Sequence, residues 1–500
     1  MNSIPRRVVG IGAIVAAFAS VGLIRPAHAN DYSNPDYFAY DRDNMARTTE
    51  DQGYHVTNES YREAARETFL DTWLQGLARQ NRDFDDGRVY AGLGQILPGG
   101  NVGDPETHLD GPRVEVEFLN REGTKLVGNV WPCREYLERA SSGSAVGGCP
   151  LVVVTTGSIQ VTQHMYGYLA RHLQDHGYTV FTFDVRGQGE SETTNPENPF
   201  GVNPQDGANF TNGTIDAVRF ARSSSDAPYI PVGMSAAEVD AFASTTRVDR
   251  FNPVSGAVDA DRIGLVGHSL GASAVTTVQQ CTSVNPSTQP LPAACADELF
   301  PFRAIVAYDG LGTSIDPRVP AFNHVADGYF INAVPTPTAP NPNAISAPTS
   351  SYGKWVAAGQ SACVISGRGF THADWSEIPY IVSGTRAGTG QARYYTQAWF
   401  DRFLSGDAAV NVAGHDALTT GPIPVEPAGE HADFRASLFS GKSRSACSVA
   451  AVGNRPAFAV SDLRDYAGVA AVGDWAALNA EREYGTPTQG AVHVPSVIGG

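Results

Sequence analysis

The stretch Asp261-Arg262-Ile263-Gly264-Leu265-Val266-Gly267-His268-Ser269-Leu270-Gly271-Ala272-Ser273-Ala274 constrains this chain more than any other. A β-rich run passes directly into an Ala-rich helical segment through a Gly-x-Ser-x-Gly turn. A turn that tight leaves no room for a Cβ on either side of the serine, whose hydroxyl is forced outward in a strained conformation. The helix N-terminus behind it offers free N–H groups and a positive dipole end to developing negative charge. Gly-x-Ser-x-Gly alone says little, because glycine and serine are common. Its place between a β-run and a helix makes Ser269 the candidate nucleophile.

The surrounding pattern fits such a turn. Short β-rich runs at 113–120, 125–131, 151–156, 178–184, 262–267 and 303–308 alternate with helical candidates at 162–176, 206–223, 270–281 and 391–404. Strands alternating with helices predict an α/β domain with a mostly parallel sheet and helices on both faces. Leu151-Val152-Val153-Val154, apolar at successive positions, predicts a central strand covered on both sides. The first two runs read as an antiparallel hairpin at one edge. Residues 30–112 read as an N-terminal extension with a helix over 58–82, where Tyr61, Ala65, Phe69, Trp73 and Leu77 recur at helical spacing. Loop-like insertions near 227–256 and 313–351 are read as lids, substrate walls or plain surface loops. The catalytic domain is placed at 113–450. A Gly- and Ala-rich tail over 451–500, with a short helix near 475–482, has no assigned role.

Residues 1–29 read as an export leader: Arg6 and Arg7, an apolar run over 8–23, then the small-x-small site Ala27-His28-Ala29. The run is short for a spanning helix, so a membrane anchor is the weaker reading. The paired arginines leave a twin-arginine route open. Removing the leader takes three arginines and no acids, moving the net charge from −17 to −20. So acidic a surface disfavours nucleic acid and acidic lipid as partners. In an exported protein the six cysteines suggest disulfides. Proximity favours Cys133 with Cys149 and Cys281 with Cys295, leaving Cys363 with Cys447. No two have metal-ligand spacing.

Beyond the serine turn, Gly177-Tyr178-Thr179-Val180-Phe181-Thr182-Phe183-Asp184-Val185-Arg186-Gly187-Gln188-Gly189-Glu190-Ser191 resembles the fourth strand and following loop of the α/β-hydrolase superfamily, in particular its secreted bacterial serine esterases and lipases. The glycines of this loop do not complete a dinucleotide-binding Gly-x-Gly-x-x-Gly. The resemblance spans roughly residues 113–405 and implies a second oxyanion donor after the third strand. That strand ends Val154-Thr155-Thr156-Gly157-Ser158, with the family's usual histidine replaced and its glycine kept. The backbone N–H groups of Ser158 and Leu270 are the implied pair. The implied base is His372, which follows a β-run and a Gly-rich loop; His415, His431 and His493 sit in unpatterned sequence. The residues 394–404 resemble the terminal helix of secreted members. For the acid, 319–327 looks like the seventh strand ending in Asp327, and Asp309 at the end of the preceding strand is the rival.

These residues imply hydrolysis of a carboxylic ester through an acyl-enzyme on Ser269. The substrate could be a small molecule, a lipid or a polyester, and nothing calls for a metal, nucleotide or flavin cofactor. No stable membrane insertion is expected after leader removal. A peptidase or amidase on the same fold and a non-catalytic binding protein are the competing readings. Chain-length preference and oligomeric state are not legible.

Overall fold

In a computed structural model, the described residues are 111–460 apart from 143–146, 159–161, 194–205, 285–289, 297, 314, 327–347, 368–371, 373, 379–381, 384–385 and 421–442. The expected leader and the helices expected over 58–82 and 475–482 lie outside them. The strands in chain order are β1 Val114–Leu119, β2 Lys125–Trp131, β3 Cys149–Thr155, β4 Thr179–Phe183, β5 Val258–His268, β6 Phe302–Tyr308, β7 Ala321–Val325, β8 Ala362–Gly367, β9 Glu377–Ile378, β10 Val382–Ser383, β11 Ser443–Val449 and β12 Phe458–Val460. The helices are α1 Arg134–Ser142, α2 Gly167–Asp175, α3 Gly207–Arg222, α4 Ala236–Ala243, α5 Leu270–Val278, α6 Ser351–Ala357, α7 Arg386–Phe403 and α8 Ala408–Thr420.

One sheet runs β1-β2-β4-β3-β5-β6-β7-β8-β11-β12, with β9 and β10 forming a separate ribbon. From β4 to β8 every neighbour is parallel, while β1 and β2 form the expected antiparallel hairpin at one edge. The fold class read from the sequence is the one observed.

Side-chain alternation along the central strands separates two cores. Val152, Val154, Val180, Val266 and Val306 face Leu169 and Leu173 of α2 and Tyr395, Trp399 and Phe400 of α7. Leu151, Val153, Phe181, Leu265 and Ile305 face Phe220 of α3 and Val275 of α5. Gly264 on β5 lets α7 approach closely, since a Cβ there would stand 2.6 Å from the Phe400 ring. The run Leu151-Val152-Val153-Val154, which reads as apolar on both sides, is buried on both sides.

Two regions differ from the sequence reading. The insertion at 227–256 carries a helix, α4, entered through a capping box in which Ser235 and Glu238 satisfy each other's backbone N–H groups. Its only buried residue is Val239, so no apolar stripe announced it. The insertion at 313–351 contains β7, as the reading of 319–327 as a strand expects, and 327–347 lies outside the described residues. At the far edge the sheet continues through β11 and β12, both antiparallel. The sequence Ser443-Arg444-Ser445-Ala446-Cys447-Ser448-Val449 is too polar and small to read as a strand. Its place is explained by Cys447, which lies opposite Cys363 on β8 and is bonded to it. Cys133–Cys149 and Cys281–Cys295 are also bonded, giving the three pairs that sequence proximity favours.

His324 on β7 is wholly buried among Phe322, Tyr308 and Trp375, with Nδ1 bonded to Gln391 Oε1 at 3.0 Å. Burial pushes its pKa down to about 3, whereas an unfolded histidine titrates near ~6.5. Between these values the unfolded chain binds the extra proton. The stability owed to the neutral ring is therefore complete above about pH 6.5 and drains as the pH falls. Denaturant unfolding at pH 7 and pH 4.5 should show a smaller acid loss for His324→Leu than for the parent. Equal losses in the two proteins would contradict this account.

Candidate active site

Ser269 stands between β5 and α5 with φ 57° and ψ −120°, a conformation unusual for any residue with a Cβ. The packing around the turn enforces it. A Cβ on Gly267 would fall 2.2 Å from the Gly271 carbonyl oxygen, and one on Gly271 would fall 2.4 Å from the carbonyl oxygens of both Thr155 and Thr156. The serine N–H donates to Tyr308 O at 2.9 Å, tying the turn to the end of β6. Leu270 opens α5, so its N–H has no acceptor within the helix.

Gly157, just after β3, lies against this turn: a Cβ there would be 3.4 Å from Ser269 Cβ and from His268 Nδ1. The Gly157 N–H donates to the Tyr166 hydroxyl at 3.1 Å, and its carbonyl accepts from Gln188 Nε2 at 2.9 Å. Gln188 belongs to the glycine-rich loop after β4. That loop is held by Asp184, whose carboxylate accepts from the N–H groups of Gln163 and Glu190. Burial raises the Asp184 pKa to about 6. The next residue, Ser158, is one of the two expected oxyanion donors.

His372 is buried and its Nδ1 lies 2.5 Å from Asp309 Oδ2. Asp309 follows the last residue of β6 and turns back with φ 54°, a left-handed conformation that aspartate tolerates better than most residues. Its N–H donates to His324 O at 2.7 Å, and its second oxygen, Oδ1, accepts the Ala326 N–H at 3.0 Å. The carboxylate is thus held at both oxygens, and Nδ1 of His372 is the proton-bearing nitrogen that donates to it. The loop carrying His372 is pinned from below. Tyr168 donates to Trp375 O at 2.9 Å, and Trp375 stacks at 7° on Tyr308 with ring centres 6.1 Å apart.

The structure brings Ser269, Leu270, Gly157-Ser158, Asp309 and His372 to the same end of the parallel strands. For the acid the sequence offers two candidates, Asp327 and Asp309. Asp327 lies outside the described residues, and the carboxylate bonded to His372 is that of the rival, Asp309. Strand β7 stops at Val325. The N–H of Ala326, one residue on, is already used to hold Asp309.

Sequence reading passed over His268, Tyr166 and Gln188. The ring of His268 lies 4.9 Å from that of His372, and its Nε2 is 2.7 Å from His372 O. Its Nδ1 lies 2.6 Å from the Tyr166 hydroxyl. Burial, reinforced by the neighbouring His372, lowers the His268 pKa to about 3. Its position inside the serine turn was the one available signal. Among the described residues, Cys133, Glu135 and Cys149 are grouped at metal-ligand distances. Their two thiols are joined in a disulfide and leave no thiolate to bind an ion.

Gly271 yields a test of the turn itself. In an ordinary helix interior Gly→Ala stabilises by about 1 kcal/mol. Here the added methyl meets two carbonyl oxygens, so Gly271→Ala should instead lower the melting temperature of the protein. An unchanged or raised melting temperature would show that the turn is not closed against β3.

A family model described as "Alpha/beta hydrolase family" matches residues 157–434, which run from Gly157 past His372 and α8. No curated protein matches the chain. With the sheet order, the serine turn and more than half of the sequence in agreement, the chain belongs to the alpha/beta hydrolase family and is a hydrolase of that general kind.

Proposed function

We propose that the protein is a secreted serine hydrolase of carboxylic esters, with Ser269 as nucleophile, His372 as general base and Asp309 as the acid that orients it. The observation that carries this reading is the 2.5 Å bond between His372 Nδ1 and Asp309 Oδ2 beside the strained serine turn. With Nδ1 donating to the carboxylate, Nε2 of His372 is the nitrogen left to take the Ser269 proton. The serine oxygen attacks the acyl carbonyl. The N–H groups of Leu270 and Ser158 then receive the charge on the carbonyl oxygen. His372 returns the proton to the leaving alkoxide, and water activated by the same base releases the acid.

Export is supported by the leader-like residues 1–29 and by three disulfides, which persist in oxidising compartments. Among the described residues no helix is long and apolar enough to cross a membrane. In this reading residues 113–450 form the catalytic domain, with 30–112 and 451–500 as extensions. The ester preference follows from resemblance, and rates on a p-nitrophenyl ester and an aminoacyl anilide separate it from the amidase alternative.

Steady-state kinetics on a p-nitrophenyl ester test the assignment. Ser269→Ala should abolish turnover. Asp309→Asn should lower kcat by about a thousandfold or more, as expected for a lost orienting carboxylate. Asp327→Asn should stay within about twofold of the parent, a margin too small for loss of that carboxylate. The reverse ranking of the two aspartates would move the acid to Asp327.

A further inference from the structure

The loop of the Ser158 donor and the loop of His372 are joined by one buried chain of hydrogen bonds that the mechanism leaves unused. The His372 carbonyl can only accept, so His268 Nε2, at 2.7 Å, bears the proton. His268 Nδ1 is then an acceptor, and the Tyr166 hydroxyl donates to it at 2.6 Å. The tyrosine oxygen in turn accepts the Gly157 N–H at 3.1 Å. On the other side of that residue, Gln188 Nε2 holds the Gly157 carbonyl at 2.9 Å. Each group has a single sense in which it can bond, so the chain has one arrangement. Burial keeps the Tyr166 hydroxyl protonated and the His268 ring neutral.

The geometry sets the direction of the donor. In a trans peptide the C=O and N–H point oppositely. Gln188 gripping the Gly157 carbonyl therefore turns the Ser158 N–H away from Gln188. A Cβ added to Gly157 would already touch Ser269 Cβ, at 3.4 Å. Small displacements of such donors weigh heavily, because a preorganised hydrogen bond contributes most where charge develops.

We propose that Tyr166, His268 and Gln188 are positioning residues, which fix the Ser158 N–H and the main chain of His372 relative to Ser269 before substrate enters. The proposal rests on the serine-hydrolase reading above. If these groups merely satisfied one another's burial, their loss would lower stability and leave the rate of the folded enzyme alone.

Tyr166→Phe and Gln188→Met should each lower kcat on a p-nitrophenyl ester by about tenfold or more with KM within about twofold, the pattern of an interaction made in the transition state. The acid limb of the pH profile should not move, because His268 is not the titrating base. His268→Gln keeps a donor toward His372 O and should recover part of the rate lost in His268→Leu. Kcat within twofold of the parent in a folded Tyr166→Phe or Gln188→Met protein would overturn the proposal. A measurement on the parent guards against variants that fail to fold. Its His268 should show a ¹⁵N-coupled Nε2–H resonance that persists at pH 5, and a ring that is protonated there or carries Nδ1–H would overturn the proposal equally. The underlying reading fails separately, if Ser269→Ala hydrolyses the ester as fast as the parent.

Discussion

The active-site end of this protein depends on how closely α5 is pressed against the ends of β3 and β5. Gly271 sits under the carbonyls of Thr155 and Thr156, and Gly267 sits under the carbonyl of Gly271. That contact holds Ser269 at positive φ. A Cβ on Gly157 would touch the serine, and the first N–H of α5, that of Leu270, has no acceptor within the helix. A strained residue persists only where its surroundings over-determine it. Here the Tyr308 carbonyl holds the serine N–H and two helix-to-strand contacts close the turn.

Strand β6 organises the other half. Its last residue, Tyr308, accepts from Ser269 and stacks on Trp375 beneath the His372 loop. The residue after it, Asp309, carries the carboxylate that His372 meets. Three consecutive features of the site therefore hang on one strand end. A parallel sheet serves this purpose because neighbouring strands finish at the same level, and connections between them are free to carry chemistry. The two apolar cores on either face keep β5 and β6 in register below the site.

How much was legible in the sequence depends on the range of the interaction involved. The serine turn, the hairpin and the central strands rest on local patterns of apolar and small residues, and they were readable. The three disulfide pairs followed from proximity and elimination. The acid was harder. A carboxylate joins a histidine 63 positions away through strand lengths and one backbone bend, and no local pattern states where β7 stops. Both Asp309 and Asp327 are candidates in the sequence, and the bond of His372 to Asp309 becomes visible only once the strands are placed. Strand β11 has no apolar signature because it is built mostly of Ser, Ala and Cys, and β12 is only three residues long. His268 has no local pattern of its own, because its partners Tyr166 and His372 lie 102 and 104 positions away in the chain.

The proposed chemistry requires Ser269 to be the residue that attacks substrate. Labelling the folded, disulfide-bonded protein with a fluorophosphonate and mapping the adduct by peptide mass spectrometry asks this directly. One phosphonyl group on the peptide carrying Ser269, absent in Ser269→Ala and sharply reduced in Asp309→Asn, is the predicted result. Modification at another residue, or none under conditions that label other serine hydrolases, would contradict it.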